Sequence, residues 1–171
     1  TDEINQNSNV ADTAFVFDAT ASYRLLQGGA VDLEISYDFL QSLYDDQEEF
    51  NLQAHSISLI AEKEIAGLDT AFTYGYSRIF VGGGDFLGIH SLTPSIGYGV
   101  TPQWYVNANL NVQDKNFLEN KDRNSRVHAA GVTNFLFFMD NKANVSLGYR
   151  LEDEDTSSSE FDYLGHFLNA S

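Results

Sequence analysis

Cysteine is absent from this 171-residue chain, which excludes disulfides and thiolate-bound metals. Basic residues are scarce: 9 Lys and Arg stand against 25 Asp and Glu, a formal charge of −16. A phosphate backbone is held by a basic face, so nucleic acid is not expected as a partner. There is no run of about 18 apolar residues, and hence no transmembrane helix. A transmembrane strand is a different matter, because about 9–11 residues with one apolar face suffice. The G-x-S-x-G, H-E-x-x-H and Gly-Lys-Ser/Thr signatures are missing too, and no enzymatic activity or cofactor is expected. Proline occurs only twice.

What is present favours strands: 9 Tyr, 13 Phe and 13 Gly in a chain patterned with period two. In "WYVNANLNVQ", Trp104, Val106, Ala108, Leu110 and Val112 alternate with Tyr105, Asn107, Asn109, Asn111 and Gln113. "VDLEISYDF" and "ANVSLGYRL" repeat the pattern. The alternation predicts nine strands, at 13–26, 31–44, 50–64, 68–81, 86–100, 104–116, 126–139, 143–154 and 161–171. Short turns at 27–30, 66–69, 101–103 and 140–142 take turns with longer connections at 45–49, 82–85, 119–125 and 155–160. The repeating unit is a β-hairpin.

Long sequential hairpins with short turns on one side predict an all-β, antiparallel up-and-down transmembrane β-barrel, with residues 1–171 as a single barrel domain or a fragment of one. Strands 1 and 9 run in the same direction, whereas single-chain bacterial barrels close with an even number. The nine strands are therefore expected to be part of a larger barrel, with residues 1–12 as a loop. A soluble up-and-down barrel holding an apolar ligand has the same alternation with the faces inverted, and it remains the alternative. On the membrane reading, the row Asp18, Arg24, Asp32, Glu34, Asp38, Asn107, Asn109, Asn111, Lys115 and Arg150 faces the lumen. Such side chains would line a channel or, in a narrow barrel, plug it.

All four histidines, His55, His90, His128 and His166, recur at steps of 35, 38 and 38 residues. Each has the parity of the apolar row, as do Phe15, Tyr23, Trp104 and Tyr149, so together they are expected to form interfacial girdles. Tyr23, Trp104 and Tyr149 are expected beside the short turns. Histidines on every second strand are about 10 Å apart, too far to share a zinc at about 2.0–2.1 Å. Nor can His55–Ser56 or His90–Ser91 pair as base and nucleophile, since neighbours in a strand point to opposite faces. The run "EDEDTSSSEFD" lacks the spacing of a formed calcium loop and is expected to be a solvated acidic loop. Pro94 is expected to sit in a local bulge, because a central strand loses a ladder donor there.

The stretches "SYDFLQSLYDDQEEFNLQAHSISL" and "SLGYRLEDEDTSSSEFDYLGHFLNAS" resemble the C-terminal barrel of outer-membrane proteins with periplasmic tetratricopeptide repeats, such as surface lipoprotein assembly modifiers. The resemblance implies residence in the bacterial outer membrane and export of lipoprotein or polysaccharide cargo. It also implies contact with the lipid bilayer and lipopolysaccharide, and with a periplasmic or secreted partner.

Overall fold

The computed structural model describes residues 12–140 and 142–171; nearly all of the expected loop at 1–12 lies outside them. Nine strands form one antiparallel sheet in chain order: β1 (Ala14–Leu26), β2 (Asp32–Tyr44), β3 (Leu52–Ile65), β4 (Leu68–Val81), β5 (Gly84–Thr101), β6 (Trp104–Phe117), β7 (Ser125–Phe138), β8 (Ala143–Thr156) and β9 (Tyr163–Ala170). Every strand pairs only with its sequence neighbours, so the sheet is open, and β1 and β9 are edges among the described residues. The expected up-and-down topology is therefore present without closure into a barrel.

The register obeys the alternation across the whole sheet. Ser36 pairs with Ser58, Gly75 with Ser91, Asn109 with Gly131 and Gly131 with Arg150, each keeping a small or polar row on one face. Slips occur only at strand ends, where Leu25, Phe86 and Val100 are the extra residues. Pro94 is not at a bulge: it pairs in register with Phe72 on β4, and the β5–β6 register is the same before and after it. The lost donor instead interrupts the β5–β6 ladder over Thr93 and Pro94. Asn111 Nδ2 donates to Thr93 Oγ1 at 2.7 Å across the gap. A polar side chain spans what the imino nitrogen cannot.

One rim of the sheet carries the tight turns. Ala66 and Gly67 (φ 55° and 79°) and Met139 and Asp140 (φ 52° and 55°) adopt the left-handed conformation of hairpin turns. The "GGGD" connection belongs to the opposite rim but is not a long loop. Gly82 and Gly83, at φ 56° and 77°, make a two-residue turn and β5 starts at Gly84. The other three connections on that rim share a design, a short 3-10 turn at Glu48–Phe50, Lys121–Arg123 and Ser159–Phe161. The side chain just after each turn accepts the N–H at the end of the preceding strand: Asn51 from Tyr44, Asn124 from Phe117 and Asp162 from Thr156, at 2.6, 2.7 and 2.7 Å.

Burial is one-sided. The buried apolar residues Leu87, Phe117, Val127 and Ala129 and the buried polar residues Asn111, Ser125 and Glu154 all lie on the face with the polar row. Val127 is 1% exposed, whereas Leu110 on the other face is 58% exposed. Side chains crowd on a concave face and splay on a convex one, so the sheet curves toward its polar row.

Candidate functional site

The concave face gathers all ten residues of the polar row. Cross-strand pairing sets Arg24 opposite Glu34, Asp32 opposite Glu62, Thr20 opposite Asp38, and Lys115 opposite Ser125; Asp18, Asn107, Asn109, Asn111 and Arg150 share their parity. The face is divided by chemistry. On β5–β9 the polar groups are cross-linked: Lys115 Nζ lies 2.9 Å from Glu154, which also accepts from Ser125, while Arg150 and Tyr163 both bond Glu152. Arg150 reaches Asn111 at 3.5 Å, linking this network to Thr93. On β1–β4 the only ion pair among the described residues is Arg24–Glu34 at 3.3 Å, and hydroxyl contacts dominate. Ser36–Ser58 and Ser56–Ser77 are both 2.8 Å apart.

The convex face has the opposite character. It bears no charge from Leu68 to Tyr76 in β4, from Trp104 to Val112 in β6 or from Ala143 to Leu151 in β8. Charges return at the rim of the 3-10 turns: Arg78 with Asp85 at 2.5 Å, Asp114 with Arg126 at 2.8 Å, and Asp153 and Asp155. The histidines mark this boundary. His55 faces Arg78, His90 faces Asp114 and His128 faces Asp153 across their strand pairs.

Three of the four histidines have a tyrosine partner that sequence inspection missed. Tyr37, Tyr74 and Tyr149 bring their hydroxyls to Nδ1 of His55, His90 and His166 at 2.6, 2.8 and 2.7 Å. In each case the tyrosine is on the preceding strand, two residues further into the uncharged band than the residue facing the histidine. The signal was in the register: once the hairpins are aligned, Tyr37, Tyr74 and Tyr149 occupy one column. At His128 that column holds Leu110. Tyr149, expected beside a short turn, therefore sits mid-strand opposite Val132 and Leu168. Trp104 does lie beside its turn and donates Nε1–H to Asn134 at 3.2 Å, while Tyr23 and Phe15 are exposed near opposite ends of β1. The His55–Ser56 pair divides as expected, His55 bonding Tyr37 on one face and Ser56 bonding Ser77 on the other.

The rim is laced together. Ser157 N–H donates to the Asn124 carbonyl at 2.8 Å, and the Arg123 guanidinium lies 4.7 Å from the Phe117 ring centre and 6.0 Å from that of Phe161. Backbone and side-chain hydrogen bonds from Thr156 hold the Asp162 carboxyl below its ordinary range. The acidic run is thus a folded hairpin loop.

The chain matches no protein-family model, and no curated protein matches its sequence.

Proposed function

We propose that the chain forms part of the wall of a bacterial outer-membrane β-barrel serving as a channel or export conduit, without catalytic chemistry. One observation carries the reading: the concave face holds the polar row and the convex face is an exposed apolar band, charged only toward its rims, where Lys63 lies four residues before Gly67 on the side of the tight turns. An aqueous environment penalises such a surface at roughly 25 cal/mol per Å², whereas lipid does not. The uncharged stretches match the about 9–11 residues a transmembrane strand needs. The histidine layer, meeting charge on one side and apolar residues on the other, suits a membrane–water boundary. A soluble barrel holding an apolar ligand requires the reverse facing.

The ion pairs of the polar face run along the wall, Arg24–Glu34 between neighbouring strands, Arg150–Glu152 within β8 and Lys115–Glu154 over β7 from β6 to β8. The rim of 3-10 turns then faces lipopolysaccharide and the exterior, and the rim of tight turns faces a periplasmic partner. The resemblance noted above points to lipoprotein or polysaccharide as the class of cargo.

The test is single-cysteine labelling of the chain in liposomes. Val106→Cys should react with a lipid-soluble probe and Asn107→Cys with a water-soluble maleimide. Water-soluble labelling at residue 107 with residue 106 protected in a detergent-free monomer is the pattern of the soluble barrel, and it would sink the proposal.

A further inference from the structure

An aromatic ring lies flat on a sheet only where the position beneath it has no side chain, and the polar face supplies two such places. A Cβ on Gly97 would sit 1.7 Å from the Tyr105 hydroxyl, so the Tyr105 side chain occupies the space above Gly97. On β9, a Cβ on Gly165 would meet Phe167 at 2.7 Å and Tyr163 at 3.2 Å. These two rings converge over Gly165 from either side and remain 48% and 40% exposed. Across the strand pair, Glu152 stands opposite Gly165 and Arg150 opposite Phe167. Tyr163 donates to Glu152, leaving carboxylate and guanidinium edges beside the rings. Asn107 and Asn109 follow Tyr105 on the same face of β6.

We propose that the polar face of β6–β9 binds a neutral glycan chain, with Tyr105, Tyr163 and Phe167 as stacking platforms. The inference rests on the conduit reading and names its ligand. A sugar ring presents C–H bonds on its faces and hydroxyls on its edge. It is recognised by a flat ring flanked by groups that both donate and accept hydrogen bonds, the set gathered at Gly165. Charge selects against an anionic chain. Among the described residues the three cations on this face, Arg24, Lys115 and Arg150, are already paired with Glu34, Glu154 and Glu152. Asp18, Asp32, Glu62 and Asp69 on the adjoining wall meet no cation within ion-pair distance among the described residues. They would repel a polyanion.

The experiment is equilibrium dialysis of the liposome-inserted chain against a labelled glucose hexamer, a galacturonate hexamer and hexalysine. The glucose hexamer should be retained and the galacturonate hexamer should not. Phe167→Ala should weaken retention about tenfold, the scale of one lost stacking contact, and Phe167→Tyr should restore it. Equal retention by Phe167→Ala, no retention of the glucose hexamer, or retention of hexalysine alone overturns the inference. Lipid labelling of Val106→Cys in the same preparation separates the two claims. An inserted chain that ignores the hexamer refutes the glycan and leaves the membrane reading standing, while a chain that takes no lipid label refutes both.

Discussion

The Tyr74 hydroxyl lies 2.8 Å from His90 Nδ1, although neither residue faces the other directly: Tyr74 pairs with Leu92 and His90 with Tyr76. The diagonal bond lets a hydroxyl in an apolar band meet an imidazole at its edge, and Tyr37–His55 and Tyr149–His166 repeat it.

The fourth histidine gives a gain-of-stability test. Leu110 occupies the tyrosine's place relative to His128, so Leu110→Tyr should add a fourth bond and stabilise the chain by about 1 kcal/mol. Tyr74→Phe should cost a similar amount. Urea midpoints in liposomes report both, and a Leu110→Tyr effect unchanged by His128→Ala would mean that no such bond forms.

Lys115 and Glu154 are the least exposed ion pair, with side chains 22% and 10% exposed. Lys115→Ala leaves the Glu154 carboxylate without its cation, held by neutral hydroxyls such as that of Ser125, and should cost about 3 kcal/mol. Lys115→Met combined with Glu154→Leu should recover most of it, since the desolvated charge goes too. A double variant as unstable as Lys115→Ala contradicts this account.

Gly97→Ala places a methyl against the Tyr105 hydroxyl and should cost about 1–3 kcal/mol through displaced packing. Adding Tyr105→Ser should relieve the clash and return much of the stability. Thermal midpoints of the single and double variants decide it.

Asp162 couples one loop to pH. Its pKa is lowered on folding by the bonds from Thr156, so its contribution is present above the unfolded carboxylate value near about 3.9 and is lost as pH falls through the folded value. Protection of the Thr156 amide, relative to neighbouring strand amides, should fall across that acidic window. Asp162→Asn should keep the protection and remove its pH dependence, because Asn51 and Asn124 accept the equivalent bond with a neutral carbonyl. A pH-dependent Asn variant would show that another group titrates.

Much of the fold was legible in one dimension. Eight connections, nine strands and the common face of Asp18, Asn109 and Arg150 follow from period-two alternation, since a strand turns each successive side chain to the other face. The exceptions are local. "GGGD" reads as a loop by composition, yet two glycines at positive φ close a hairpin in the minimum number of residues. Pro94 reads as a bulge, but an imino acid removes one ladder bond without forcing an extra residue into the strand.

The sequence by itself settled which residues are strand and which share a face, because alternation is a property of consecutive residues. Only the tertiary structure decided that the polar face is the concave one, that Tyr37, Tyr74 and Tyr149 reach diagonally to histidines, and that rings lie over Gly97 and Gly165. Those facts depend on cross-strand register and on the reach of a side chain over its neighbour. Residues such as Tyr105 and Gly97, or Lys115 and Glu154, acquire that relation only when the hairpins are laid side by side.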